Sequence, residues 1–213
     1  GYSGWSLGLY LVFGAIVGLL GAYYNRLVLR LMTVFDELAR IPLLVRAGAV
    51  GAAVGLLGWF LPEIVGGGDN LTSQLLVGGL PLVTVAGIFL VRWFLGPLSY
   101  SVGAPGGLFA PLLVLGAASG TLFGGVIHAL ADSWVPDPIT FTLVGMAVFF
   151  TGVVRSPITG VVLVTEMTAT ATQVLPMMVA CAGAMVATTL IGSEPIYDTL
   201  RHRMLARDGA LSQ

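Results

Sequence analysis

The sequence contains no lysine, one cysteine and two histidines, and charged residues make up only 9% of its 213 positions. Soluble domains carry about 25% charged residues. A chain this poor in polar groups cannot cover a water-facing surface, which excludes soluble globular and disordered classes. Nine arginines against ten acidic residues leave a formal net charge of −1, so no basic face exists for nucleic acid. The lone Cys181 has no partner for an internal disulfide and says nothing about redox compartment. His128 and His202 lie far apart, so the sequence offers no metal-ligand cluster. Strict polar–apolar alternation is also missing, which argues against an outer-membrane barrel. What is abundant is apolar residue: 57% of the chain, in long runs. The fold class expected is therefore all-α and polytopic in a membrane.

The chain opens on Gly1 rather than methionine, which suggests a fragment or a processed product. No basic stretch precedes the first apolar run, and that run is too long for a signal peptide. It extends from Tyr2 to Met32, with Asp36, Glu37, Arg40 and Pro42 expected to close it. Leu43 to Leu61 forms a second span, broken by Pro62 and the run Gly66-Gly67-Gly68-Asp69. Leu71 to Gly79 is a short piece, and Leu80 to Tyr100 can span although Arg92 lies inside it. Gly103-Ala104-Pro105-Gly106-Gly107 is a strong breaker before Leu108 to Leu130. A polar loop with Asp132, Pro136, Asp137 and Pro138 follows. Ile139 to Gly152 and Pro157 to Met167 are too short to span upright, with a break at Arg155 and Ser156 between them. Val174 to Ile191 can span, and Pro195 to Arg207 is amphipathic.

Irregular backbone at membrane depth must be buried in protein or line a polar cavity. Broken helices meeting near the midplane are one way that transporters build ion sites, and a packing role is the alternative. Gly14 and Gly18, Gly51 and Gly55, and Gly116, Gly120 and Gly124 recur at helical spacing, which predicts close helix packing. Arg26, Arg30, Arg40 and Arg46, with Arg201, Arg203 and Arg207, place the first loop and the C-terminus on the cytoplasmic side.

Pro105, Gly106 and Gly107 deform the backbone just ahead of a long apolar helix. The first N–H groups of a helix have no intrahelical partner, and leaving them unpaired in lipid is costly. The positive end of the helix dipole adds attraction for an anion. Leu108, Phe109 and Ala110 carry the N–H groups that would face such a gap. A kink capped by a neighbouring carbonyl or by water fits the same pattern.

The segment GGLFAP, Gly106 to Pro111, resembles the GxFxP motif of the CLC family of chloride channels and proton-coupled chloride antiporters. VRSPITGVVLVTEMT, Val154 to Thr168, resembles the family's helix pair near the dimer interface. SEPIYDTLRHRML, Ser193 to Leu205, resembles its last helix, which begins near an anion-coordinating tyrosine. Three motifs in order cover essentially the whole chain, but they match only the second of the family's two inverted halves. The first-half motifs GSGIP and GREGP are absent, and with them the central serine and the gating glutamate; the antiporters' internal proton-transfer glutamate also belongs to that half.

The resemblance implies a half-domain at 1–192 and a cytoplasmic helix and tail at 193–213, moving chloride or similar anions as part of a channel or antiporter. Leu108 and Phe109 would offer backbone N–H groups to a central chloride, Ala110 would line an outer site, and Gly107 and Pro111 belong to the motif. Tyr197 would donate its phenol O–H to the same ion. A neutral phenol holds an ion loosely enough for it to leave; an interfacial tyrosine is the plainer reading of Tyr197 alone. The implied partners are the N-terminal half of the domain and a second copy, through the helices of Ile158 and Val174. No cofactor is implied beyond a bound chloride, and no enzymatic activity.

Among intramembrane charges, Glu166 is a possible proton carrier but falls in the EMT segment, which favours a structural or surface role. Arg92 and Arg155 are expected to satisfy helix-end carbonyls rather than to line an ion path. Two other functions compete. Gly66-Gly67-Gly68-Asp69 formally fits GxGD and Tyr197-Asp198 fits YD, patterns of intramembrane aspartyl proteases, but the YD follows the GxGD instead of preceding it. A non-conducting assembly module is the other alternative.

Overall fold

The computed structural model describes residues 4–102, 107–130 and 137–211. Gly103, Ala104, Pro105 and Gly106 of the expected breaker, Asp132 and Pro136 of the polar loop, and the Arg207 side chain lie outside the described residues. The described residues form nine α-helices and one 3-10 turn, with no strand. In chain order they are α1 (Gly4–Glu37), α2 (Leu43–Phe60), α3 (Asp69–Val77), α4 (Leu82–Ser101), α5 (Phe109–Leu130), α6 (Pro138–Val154), α7 (Pro157–Thr168), α8 (Val174–Leu190) and α9 (Ile196–Leu211). Helices α1, α2, α4 and α5 are long and apolar enough to cross a membrane.

Helix α1 continues past Met32 and ends at Glu37, within the cluster Asp36, Glu37, Arg40 and Pro42 expected to close it. Acidic residues do not break a helix; a 3-10 turn at Leu38–Arg40 does, followed by Ile41, whose extended backbone is what a residue before proline adopts. At 1.5 Å per residue its 34 residues reach about 50 Å, well beyond a hydrocarbon core of about 30 Å. The overhanging end is held by protein. Arg203 of α9 pairs with Asp36 at 2.6 Å and donates to Thr33 at 3.1 Å, and Arg46 donates to the Phe35 carbonyl. Two of the arginine groups read from the sequence thus meet at one end of the fold.

Helix α6 is the centre of the core. Every residue from Thr140 to Val153 is buried, as suits a helix apolar all round. Asp137 starts it by accepting from the Ile139 N–H at 3.0 Å, with Pro138 at its first position. Helix α5 packs on α6 at backbone distance. A Cβ on Gly116 would lie 2.5 Å from the Gly145 carbonyl oxygen, and one on Gly120 would overlap the Phe141 backbone. Helices α1 and α8 meet in the same manner, where a Cβ on Gly18 would come 2.6 Å from Ala184 Cα. Without a hydrophobic drive between helices in lipid, such approach maximises dispersion contact.

Gly51 and Gly55 do not behave so. Helix α2 touches α4 but buries none of its own residues, and nothing lies within 4 Å of a Cβ at either glycine. Their spacing matches that of Gly116 and Gly120, but the described residues supply no facing helix.

The break between α6 and α7 falls at Arg155 and Ser156. Arg155 adopts a left-handed backbone, φ 65°, and its N–H returns to the Thr151 carbonyl at 2.8 Å. Its guanidinium reaches the end of α8 and donates to the Met185 and Ser193 carbonyls at 3.2 and 2.9 Å and to the Thr188 and Thr189 hydroxyls. It was expected to satisfy helix-end carbonyls, but the Ala187, Thr188 and Thr189 carbonyls accept from the backbone N–H groups of Ile191, Ser193 and Gly192, and Arg155 instead ties α8 to the connector that follows it. Glu166 is exposed on α7, in keeping with a surface role.

Gly120→Val should force α5 off α6. Overpacking a dense core costs about 1–3 kcal/mol. The midpoint of thermal unfolding in detergent should fall accordingly, and an unchanged midpoint would rule out the close approach of α5 to α6.

Candidate functional site

The start of α5 shows why the GLFAP segment is chemically distinct. The Leu108 carbonyl accepts the Leu112 N–H at 3.2 Å, the first bond of the helix. Pro111 stands third in α5 and carries no N–H. The donors for which the helix itself has no acceptor are therefore reduced to those of Phe109 and Ala110, beside Leu108 at the helix entry. The positive end of a 22-residue helix backs them.

Gly107, Leu108 and Pro111 line a cavity of about 320 Å³. The opposite wall is one face of α4: Arg92, Leu95, Gly96, Ser99 and Tyr100, whose spacing of three and four residues is that of a helical stripe. Val54 of α2 and the Val65–Gly66 turn close it. Leu108 is buried, whereas Phe109 and Ala110 are half-buried and do not line this cavity. The Phe109 ring meets Phe150 of α6 edge-on, with centroids 5.5 Å apart, which pins the helix start to the core.

Tyr197 lies in the first turn of α9, 47% exposed. It does not line the cavity, but it stands within electrostatic reach of Tyr100, which does. Its helix is well anchored: Ile196 is fully buried, and the α8–α9 connector is held from two sides. Arg155 takes the Ser193 carbonyl, and the buried Asn25 amide donates to both the Val153 carbonyl at 3.0 Å and the Glu194 carbonyl at 3.3 Å. The structure thus places Gly107, Leu108 and Pro111 in the cavity wall, with Phe109 and Ala110 beside them in the chain, and leaves Tyr197 outside that wall.

Tyr100, Asn25 and the cavity side of Arg92 were not singled out from the sequence. The α4 stripe was readable as a polar interruption at helical spacing in an apolar span. Asn25 carried no comparable signal, because its partners are 128 and 169 residues away.

The carboxylates of the formal protease pattern have other positions. Asp69 is the first residue of α3 and Asp198 sits in the first turn of α9, each where a negative charge complements the helix dipole. The glycines before Asp69 cradle Arg92: Gly68 has φ 94°, and a Cβ there would lie 3.1 Å from the Arg92 Nη2. Among the described residues no group of three potential metal ligands occurs.

Ile158 is 69% exposed at the start of α7, and Val174 at the start of α8 is half-buried against the core. Val162, Met167, Leu175 and Met178 extend the exposed apolar surface of these two helices.

Residues 1–189 match the family model for voltage gated chloride channels. The chain is 38% identical over 210 residues to the H(+)/Cl(-) exchange transporter ClcA of Salmonella paratyphi A (strain ATCC 9150 / SARB42), covering 96% of this chain and 44% of that protein. Identity to the ClcA of Salmonella arizonae is 39% over 210 residues, with the same coverage. Among solved structures, a slow cyanobacterial Cl−/H+ antiporter superposes with a TM-score of 0.90 at 30% identity, over 98% of this chain and 49% of that one. A eukaryotic CLC transporter shares the fold, with a TM-score of 0.79 at 22% identity over 94% of this chain and 35% of the other. The chain thus spans about half the length of the relatives it matches. Its apolar helices and these likenesses make it an integral, multi-pass membrane protein. With its three motifs in order and the family model matched over nearly its whole length, the chain belongs to the voltage gated chloride channel family, the CLC family of the sequence reading.

Proposed function

We propose that this chain forms one wall of a path for chloride and similar anions, within a CLC-type channel or proton-coupled antiporter. The observation that carries the reading is the entry of α5. A helix start in an apolar setting directs the N–H groups of Leu108, Phe109 and Ala110 to one region, and Pro111 removes the next donor. A bound chloride is the ligand of simplest fit. It accepts several N–H groups at once, and it is held by dipoles rather than by a fixed opposite charge, so it can leave. Tyr197 would add a neutral O–H from the opposing helix end. In this arrangement Leu108 and Phe109 serve the central ion, Ala110 an outer position, and Gly107 and Pro111 shape the turn. The Salmonella and cyanobacterial relatives, an H(+)/Cl(-) exchange transporter and a Cl−/H+ antiporter, support the same reading.

The chain would complete its path with an N-terminal half. Helix α2 is apolar, 18 residues long and without a buried residue, which favours a further protein surface beside it. A second copy would pack on the exposed apolar surface of α7 and α8, with Ile158 and Val174 at the contact. A non-conducting assembly module has no comparable support, since it leaves the orientation of the α5 entry without a purpose.

Tyr197→Phe removes one neutral hydrogen bond, worth roughly 0.5–1.5 kcal/mol. At about 1.4 kcal/mol per tenfold, chloride affinity in the assembled protein should fall about 2- to 12-fold by calorimetry. Phe109→Leu keeps the backbone N–H and should leave affinity nearly unchanged, although loss of the Phe150 contact lowers stability. Equal losses from both substitutions, or none from Tyr197→Phe, would remove Tyr197 from the site.

Ile158→Trp or Val174→Trp should shift the protein from dimer toward monomer in detergent while each subunit keeps anion flux. Intact dimers with abolished flux would refute this use of α7 and α8.

A further inference from the structure

One face of α1 stays exposed along most of the helix. Trp5, Val12, Ile16, Tyr23, Arg26 and Arg30 follow at intervals of seven, four, seven, three and four residues, which keeps them on one stripe. The stripe is apolar as far as Tyr23 and basic beyond it. Trp5 and Arg26 stand 21 residues apart, about 31 Å at 1.5 Å per residue, close to a hydrocarbon core of about 30 Å. A tryptophan at one boundary and a tyrosine with an arginine at the other are the anchors of a bilayer interface. Beside the stripe, α1 and α8 run parallel, with Gly14 against Ala180 and Gly18 against Ala184 at backbone distance. Their outer edges form an open apolar groove of about 260 Å³, lined by Leu11, Val12 and Ala15 of α1 and by Val186, Ala187 and Leu190 of α8. On α8 the groove ends at Leu190, and the next residue, Ile191, accepts from the Arg26 Nη2 at 3.5 Å. The Arg26 guanidinium also stands 5.3 Å from the centre of the Tyr23 ring. One long hydrogen bond leaves most of its five donors unused. Neither Arg26 nor Arg30 has a carboxylate partner among the described residues, where Asp36 pairs with Arg203 instead.

We infer that the α1–α8 groove holds one chain of an anionic phospholipid, whose headgroup phosphate rests on Arg26 and Arg30. A guanidinium fork matches the oxygens of a phosphate, and basic positions between membrane helices suit an anionic headgroup. The bilayer-length spacing from Trp5 sets these arginines at headgroup depth, where an arginine keeps its charge near water and lays its stem on apolar surface. The groove supplies what a bare basic patch lacks, a slot for the acyl chain that starts where the charge ends. A protein helix fits the same slot less well. Helix contacts in lipid rely on small residues, and those of α1 and α8 are already turned on each other, leaving Leu11, Val12, Val186 and Leu190 outward. The contact proposed for a second copy begins at Val174, about 18 Å along α8 from Val186. This inference requires only that the chain sits in a membrane, and it stands apart from the anion path.

Phosphatidylglycerol and phosphatidylcholine serve as probes, since both carry a phosphate and two chains but only the first has a net negative charge. Native mass spectrometry of the assembled protein in detergent should find one phosphatidylglycerol retained per copy of this chain, at concentrations where phosphatidylcholine has left. Arg26→Gln or Arg30→Gln should weaken that retention about 5-fold, which corresponds to about 1 kcal/mol for one arginine near an anionic surface. Phosphatidylcholine should respond to neither. Val186→Trp, at an exposed position, should fill the groove and weaken both lipids with the arginines untouched. Arg201→Gln, which removes the same charge from an exposed position on α9, should change nothing. Equal retention of the two lipids would overturn the site. Equal losses from Arg201→Gln and Arg26→Gln would reduce it to a diffuse attraction and overturn it as well. Inorganic phosphate that displaces the phosphatidylglycerol at equal concentration, or full retention after Val186→Trp, would remove the groove from the binding. So would a structure of the assembled protein with a helix of the N-terminal half or of a second copy seated between Val12 and Val186.

Discussion

Lipid accepts no hydrogen bonds, and that one fact shapes every break in this chain. Each helix end inside the apolar layer leaves carbonyls or amides that must find a protein partner, water or an ion. The fold resolves its breaks in different ways. The end of α8 is closed by the N–H groups of Ile191, Gly192 and Ser193, which return to the Ala187, Thr189 and Thr188 carbonyls, while Arg155 ends α6 with its backbone and ties α8 to the connector through Met185 and Ser193. Asn25 ties the same region to α1. The entry of α5 is not closed in that manner. It carries donors rather than acceptors and faces a cavity whose most polar wall is a cation. An end with loose carbonyls is short of donors and suits a cationic side chain, whereas the entry of α5 presents donors of its own.

Close packing supplies the rigidity that such a site needs. Gly116, Gly120 and Gly145 let α5 and α6 touch at the backbone, and Gly14 and Gly18 do the same for α1 against α8. Helix α6 is thereby enclosed from Thr140 to Val153, and α5 cannot slide without dragging its contacts. Phe109 packed on Phe150 carries that firmness to the first turn of α5, where the direction of the N–H groups is decided.

Much of this was legible in the sequence, and the parts that were not share one cause. Hydropathy marks a segment as apolar but does not distinguish lipid from protein as its surroundings. It therefore located α6 without revealing that α6 is entirely enclosed. It assigned the same packing role to Gly51 and Gly55 as to Gly116 and Gly120, although only the second set meets a neighbour among the described residues. The end of α1 was legible in the cluster Asp36, Glu37, Arg40 and Pro42, but the pairing of Asp36 with Arg203, 167 residues away, was not. The α5 entry and Tyr197 were legible through local motifs. Tyr100 and Asn25 were not, since their significance depends on neighbours brought in by the fold.

Position 155 shows how two requirements can lock a residue in place. Its backbone, at φ 65°, is one where an ordinary side chain sits at a disadvantage of about 1–2 kcal/mol and glycine would not. Its guanidinium ties α8 to the connector that follows it. Glycine would relax the backbone and lose that tie, while lysine would keep the charge but lack the planar fork that reaches carbonyls and hydroxyls together. Glycine thus meets only the backbone requirement, and lysine gains nothing in the backbone while losing the fork. An unfavourable backbone is thereby held in place by the contacts of its own side chain.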